Sequence, residues 1–393
     1  MDALGVLARR VRDRDGGTLD RPLAGGGSFP LTWVRSGPAQ DAPVLFVPGG
    51  PGMASVLPYA RLRATAAAHG VGAVMVEHRG VGLSRHDGAG QDLDPAEVTV
   101  QAAADDLAAV LDHLGIERVV VHGSSYGTYV AQVFGVRHPH RVAAMVLDSP
   151  LLSVADDLAA VRAHRRGLLW EADTELAAAV RSAAAAEPDT VAAVAPTVYE
   201  FAGPAALLRL LHAHRDGRLG PLWRRLSRLA DGGLDGRGVR HVTEPDLVAG
   251  IAFGQLGFGL PPDGGPLDPQ VAFARVAGDR PPYRGEPYDL PALLPGFTWP
   301  TVVVSGDRDL RTPRPVAERL ARLLPHGVLL DLPGLGHSAM DTHQRAAVLV
   351  AAAVRAGAAD RLPALAGRLA ALPRQGASRW LGTAVRAAVR LGG

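Results

Sequence analysis

The stretch from Arg118 to Arg137 constrains the fold more than any other part of the chain. A short apolar run, Arg118-Val119-Val120-Val121, leads into Gly123-Ser124-Ser125-Tyr126-Gly127, and a helical pattern begins at once. A strand that turns directly into a helix needs a sharp, strained bend, and small residues on either side of the central serine relieve the crowding there. The pentapeptide is short enough to arise by chance, so its setting must support it.

The surrounding rhythm does so. Phe29–Val34, Pro43–Val47, Ala73–Val76, Arg118–Val121 and Val142–Leu147 read as strands, separated by helical or Gly-rich segments. Thr99 to Leu114 reads as a helix capped by Thr99, with Ala103, Leu107, Val110, Leu111 and Leu114 on one face and Gly115 closing it. Strand and helix in alternation imply a parallel sheet covered by helices.

The alternation stops between about Ser149 and Pro300. That region is rich in Ala, Arg and Leu, with helical stretches over 156–177 and 205–230 and a Gly/Pro-rich part over 257–295. It resumes with strands Thr301–Val304 and Val328–Leu332 and a helix from His343 to Arg355. The expected organisation is a first core part over 1–149, a mostly helical insertion over 150–299, a second core part over 300–355, and an amphipathic extension over 356–393. In that extension Trp380, Ala384, Val385, Ala388 and Val389 oppose Arg379, Arg386 and Arg390. Such a helix can lie on a membrane or dock on a partner; packing within the chain or in a homo-oligomer is the reading taken.

Charge narrows the partners. With 41 basic against 39 acidic residues the formal net charge is +2, every basic side chain apart from histidine is Arg, and no concentrated basic face suggests nucleic acid. The absence of cysteine excludes disulfides and thiolate chemistry. No stretch approaches the roughly 18 apolar residues of a membrane span. The segment Met1–Gly17 lacks the apolar core of a signal peptide, so a cytoplasmic location is expected.

Ser125 lies midway between the two elbow glycines and is the candidate nucleophile. A serine hydroxyl needs a base, and the base an orienting carboxylate, in the chain order Ser, acid, His. Asp307 and Asp309 both follow the strand Thr301–Val304, and His337 sits in the loop Gly334-Leu335-Gly336-His337-Ser338 after the strand Val328–Leu332; His343 is its rival. An oxyanion would be held by the N–H of Tyr126 and one from Pro48-Gly49-Gly50-Pro51-Gly52, where Gly50 is the better donor because Pro51 has no N–H. His212-Ala213-His214 on a helix does not form a metal pair, since residues two apart do not share a face. No metal or organic cofactor is expected.

Taken in order, Gly49-Gly50-Pro51-Gly52, Arg79-Gly80-Val81-Gly82-Leu83-Ser84, Gly123-Ser124-Ser125-Tyr126-Gly127-Thr128, Gly306-Asp307-Arg308-Asp309 and Gly336-His337-Ser338 resemble the proline iminopeptidase and tripeptidyl aminopeptidase group of α/β-hydrolases. The resemblance covers about Leu31 to Pro150 and Pro300 to Ala353. It implies an α/β-hydrolase fold, a mostly parallel central sheet with an inserted helical cap, and it selects Asp309 as the acid. It implies release of N-terminal residues from a short peptide, with cap carboxylates holding the free amino group. Glu171, Glu175, Glu200 and Glu244 are available for that, Glu171 and Glu200 being the candidates named, against the alternative that each is a helix-surface glutamate. Two departures are Pro48 where the group has His, and Glu77-His78-Arg79-Gly80 where it has Asp-Gln-Arg-Gly. They leave open an esterase, thioesterase or acyl-transferring enzyme acting on a small-molecule ester.

Overall fold

The structure, a computed structural model, describes residues 2–231, 238–375 and 377–391. Eight strands form one sheet: β1 (Gly16–Pro22), β2 (Ser28–Ser36), β3 (Val44–Val47), β4 (Ala73–Val76), β5 (Val119–Ser124), β6 (Val142–Asp148), β7 (Thr301–Gly306) and β8 (Gly327–Leu332). Their spatial order is β1-β2-β4-β3-β5-β6-β7-β8. From β4 to β8 all neighbours are parallel, while β2 is antiparallel to both β1 and β4. Every residue of β3, β4, β5 and β7 is buried, which is why these strands read as unbroken apolar runs rather than alternating ones.

Side chains alternate between two cores. Leu45, Val47, Val121 and Val303 pack on one face under the helices Val100–His113 and Tyr126–Arg137. Val44, Phe46, Val120 and Val302 pack on the other under Ala60–Ala68 and Gln344–Arg355. The Thr99 cap forms as expected, its hydroxyl accepting the Ala102 N–H at 3.2 Å.

Two elements near the N-terminus were not legible. The helix Ala3–Asp15 is capped by Asp2, and β1, with the sequence Gly-Gly-Thr-Leu-Asp-Arg-Pro, has almost no apolar content. As an edge strand β1 needs only a partner, and it pairs with β2 along seven residues from Gly16 to Pro22.

Between β6 and β7 the described residues add no strand to the sheet. The helical stretch expected over 156–177 is broken: helix Val154–Arg166 passes into a wider turn over Gly167–Glu171, and Thr174 then caps a new helix, Glu175–Ala184. The stretch over 205–230 divides likewise into Pro204–Arg215 and Gly220–Asp231, with Gly217 left-handed between them. The helix Pro188–Ala202 is central to this layer, which has its own core of Val191, Val194, Val198, Leu207 and Leu210.

The C-terminal helix, Ala377–Leu391, joins that same core. Val385 and Val389 are 1% and 2% exposed, and burying each is worth about 1.5–3 kcal/mol, so these two members of its apolar stripe pack within the chain, whereas Trp380, 69% exposed, and Ala384 face outward. Arg386 reaches the Phe201 carbonyl, and the side chain of Arg379, expected on the polar face, lies outside the described residues. Just before the helix, Arg374 donates to the carbonyls of Phe201 at 3.0 Å and Gly334 at 2.8 Å. The extension thereby ties the helical layer to the loop that carries His337. Among the described residues no helix is long and apolar enough to cross a membrane.

Candidate active site

β5 ends at Ser124 and the next helix begins at Tyr126, leaving Ser125 alone at the corner with φ 52° and ψ −124°. A left-handed backbone at a residue with a β-carbon costs about 1–3 kcal/mol and persists only where surrounding contacts impose it. Here the Ser125 N–H donates to the Asp148 carbonyl at 2.9 Å, and its own carbonyl accepts from the Thr128 N–H at 2.8 Å and hydroxyl at 2.6 Å. The two glycines are obligatory for a steric reason. A β-carbon at Gly123 would lie 2.3 Å from the Gly127 carbonyl oxygen, and one at Gly127 would lie 2.1 Å from that of Val47. Gly49 brings the opposite loop near, though less tightly: a β-carbon there would be 3.1 Å from that of Ser125.

Asp309 occupies the turn after β7 and is 1% exposed. Its carboxylate accepts the N–H groups of Arg311 and Thr312, both at 2.9 Å, and the Thr312 hydroxyl at 3.0 Å. His337 Nδ1 lies 3.0 Å from Oδ2 and 3.2 Å from Oδ1. Burial works to raise the Asp309 carboxyl, but the charge and hydrogen bond of His337, with the Thr312 and Arg311 N–H groups, outweigh it and hold it well below the carboxylate range. For His337 burial opposes the imidazolium, yet Asp309 more than offsets it and raises the imidazole above its ordinary value. Since an ionised carboxylate only accepts, Nδ1 carries the proton and Nε2 is left with a free lone pair.

The rivals separate cleanly. Asp307 instead accepts the Gly334 N–H at 2.7 Å, pinning the histidine loop. His343 is buried outside the cavity with Thr342 at 2.9 Å, and burial pushes it down to about 4.

Ser125, His337, Thr312 and Gly50 all line one cavity of about 720 Å³ whose outer wall is the helical layer. No hydrogen bond joins Ser125 to His337 among the described residues, a looseness common in unliganded sites. Gly50 borders the cavity at the Gly50–Pro51 cis bond. Tyr126 opens the helix, where backbone N–H groups have no intrahelical acceptor. The Tyr126 ring is fixed by a contact the sequence did not announce: its hydroxyl lies 2.9 Å from His78 Nε2, while His78 Nδ1 lies 2.7 Å from the Arg79 carbonyl. Because a carbonyl only accepts, Nδ1 donates there and Nε2 accepts from the tyrosine; burial lowers His78, consistent with a neutral ring. Glu77 stands behind this turn, taking the N–H groups of Ser55, Val56 and Leu83, and burial pushes it up to about 7.

The four glutamates fare differently. Glu171 is exposed and outside the cavity. Glu175 is also exposed, 3.8 Å from His212. Glu244 is buried against Arg85 at 3.2 Å and Arg240 at 3.1 Å. Only Glu200 lines the cavity, and it is engaged by the Leu310 N–H at 3.2 Å and Arg311 at 3.1 Å. Four other acids line the wall, of which Asp189 and Asp268 are paired with arginines and, among the described residues, Asp157 and Glu286 are not. Asp157 accepts the Leu152 N–H at 2.7 Å and is pushed up to about 7 by burial. Glu286 accepts the Val154 N–H at 2.9 Å through Oε2, whereas Oε1 is buried without a hydrogen-bond partner, and burial raises this carboxyl too. Neither had a sequence signal, since one lies on an ordinary helix and the other in the Gly/Pro-rich stretch. His214 pairs with Glu187 at 3.0 Å, and no cluster among the described residues has the makings of a metal site.

Residues 42–201 match the alpha/beta hydrolase fold family. The proline iminopeptidase of Neisseria meningitidis serogroup A is 30% identical over 117 residues, 30% of this chain and 35% of that protein. A probable proline iminopeptidase of Streptomyces coelicolor is 30% identical over 141 residues, 36% of this chain and 42% of that one. The match thus spans between a third and a half of the length of these curated relatives. A solved proline iminopeptidase from Mycobacterium smegmatis is 18% identical with a TM-score of 0.49, over 86% of this chain and 98% of the other.

Proposed function

We propose that this chain, which has the α/β-hydrolase fold, is a serine hydrolase working through an acyl-enzyme on Ser125. The observation that carries the reading is the Asp309–His337 hydrogen bond, made on the wall of the same cavity that receives the strained Ser125. His337 Nε2 takes the proton from Ser125 Oγ as that oxygen attacks the substrate carbonyl. The resulting oxyanion is held by the N–H groups of Gly50 and Tyr126. His337 then returns the proton to the leaving group, and the C–N or C–O bond breaks to leave an ester on Ser125. Water, deprotonated by the same imidazole, releases the acid and restores the serine.

We infer further that the bond is the first peptide bond of a substrate with a free amino group, the helical layer acting as a cap. The support is the pair Asp157 and Glu286, neither of which is ion-paired with an arginine among the described residues, while one oxygen of Glu286 is buried and unsatisfied. An ammonium group would supply the missing charge and donors. A neutral ester is the second reading, favoured by the apolar wall of Phe253, Leu256, Phe258 and Phe273. Prolyl and alanyl anilides assayed beside short acyl esters decide between them. Amide turnover that falls at least about ten-fold in Glu286→Gln supports the amine reading; ester turnover with no amide turnover sinks it. Failure of Ser125 to label with a fluorophosphonate sinks the hydrolase reading itself.

A further inference from the structure

The cavity wall carries several ionised side chains, and most are neutralised in pairs. Glu200 has Arg311 at 3.1 Å, Asp268 has Arg162 at 3.0 Å, and Asp189 has Arg275 at 2.6 Å. What pairing leaves over is Asp157 and Glu286 on the acidic side and Arg165 on the basic side. Arg280 also borders the cavity without a carboxylate beside it, but it is partly exposed and rests over the Phe253 ring at 5.9 Å, where water serves it.

Arg165 is different because most of its side chain is shielded from bulk water and the rest borders the cavity. It lies near the end of the helix Val154–Arg166, and its side chain is 8% exposed. Its Nε donates to the Leu310 carbonyl at 2.8 Å, one residue beyond Asp309, and this is its one hydrogen bond among the described residues. Among the described residues its two terminal nitrogens make none, and no carboxylate forms an ion pair with it. Glu200, Asp309 and Asp268 lie near enough to act on its charge, but among the described residues none pairs with it directly, and a largely buried guanidinium whose fork has no direct partner is costly in a folded protein. Anchoring Leu310 needs only Nε, so it does not account for the planar fork that remains, which is the donor pattern that recognises a carboxylate.

We propose that Arg165 is a carboxylate-binding subsite of the cavity and that the substrate is a small zwitterion, a short peptide with both termini free. This rests on the peptide reading above and narrows it. Asp157 and Glu286 face the ammonium end, Arg165 the carboxylate end, and Ser125 the bond to be cut. A cavity of about 720 Å³ lies within the range of small-molecule sites. The N-terminus of a folded protein would bring no carboxylate to Arg165.

The test uses the full-length Ser125→Ala protein, calorimetry, and two probes that differ in one group: alanyl-phenylalanine and its C-terminal amide. The free acid is expected to bind at least about ten-fold more tightly, the scale of one charge-assisted hydrogen-bonded pair. Adding Arg165→Met to that protein should bring the acid down to the affinity of the amide, and Arg165→Lys should recover part of the difference. Equal binding of acid and amide, or no binding of the acid, overturns the subsite; that comparison stands even where the Arg165 variants fail to fold. Fluorophosphonate labelling of the wild-type chain is scored separately. Labelling with no preference for the acid removes the subsite and leaves the hydrolase, whereas preference without labelling does the reverse.

Discussion

Replacing Gly127 by alanine adds one carbon at the most crowded point of the elbow. That carbon would sit 2.1 Å from the Val47 carbonyl oxygen and 2.5 Å from that of Pro48, about an ångström inside the 3.4 Å at which ordinary contact begins. Neither neighbour is a side-chain tip that can swing aside. Val47 ends β3, which is hydrogen-bonded on both edges by β4 and β5, so the helix Tyr126–Arg137 must move away, and Ser125 and the Tyr126 N–H move with it. Overpacking a rigid site costs about 1–3 kcal/mol, and a displacement of about 1 Å at the reacting atoms costs about 100-fold in rate. The assay is the second-order rate of Ser125 labelling by a small fluorophosphonate, with the urea midpoint measured on the same sample. Gly278→Ala is the control, because a β-carbon there meets nothing within 4 Å, and it should shift stability by no more than about 0.5 kcal/mol. A Gly127→Ala protein that keeps the wild-type midpoint and labelling rate would refute the claim that backbone crowding sets the position of Ser125.

Three further outcomes are expected. Asp309→Asn should lower kcat by about 10⁴; because His337 acts as a neutral base, and Asp309 is what raises it against burial, the acid limb of any residual activity should move to lower pH, and an unmoved limb would contradict the assignment. Asp148 accepts the Ala339 and Met340 N–H groups at 3.1 and 2.7 Å and is pushed up to about 7 by burial. The folded state therefore holds its proton more tightly, so its contribution to stability is full below about pH 4 and lost as pH rises through 7; the stability difference between wild type and Asp148→Asn should fall by on the order of a few kcal/mol across that window in urea titrations. Gly382→Val should lift the C-terminal helix from the helical layer, since a β-carbon there would lie 2.2 Å from the Phe201 carbonyl oxygen. As Phe201 and Leu381 both line the cavity, KM should rise several-fold while fluorophosphonate labelling of Ser125 holds, and parallel loss of both would mean that the helix serves folding alone.

The amino-acid sequence by itself determined the central strands, because a strand buried on both faces must be apolar throughout, and the Thr99-capped helix, because capping is a local hydrogen bond. It also placed Ser125 at a strand-to-helix corner and put Asp309 and His337 in loops that follow β7 and β8, since parallel strands deliver their following loops to one edge of the sheet. Tertiary structure decided what local rules cannot. β1 forms because β2 offers it an edge, and nothing in Gly16–Pro22 announces that. Asp309 rather than Asp307 meets His337 because of the direction each side chain takes from a four-residue turn. The wall of the cavity is the extreme case: Glu171 looked available and is exposed, while Asp157, Arg165 and Glu286, up to 129 positions apart in the chain, meet only because the helices between β6 and β7 fold over the sheet. Whether a charge on a helix is solvated, paired or left for a ligand depends on what packs against it, and that is a property of the folded chain.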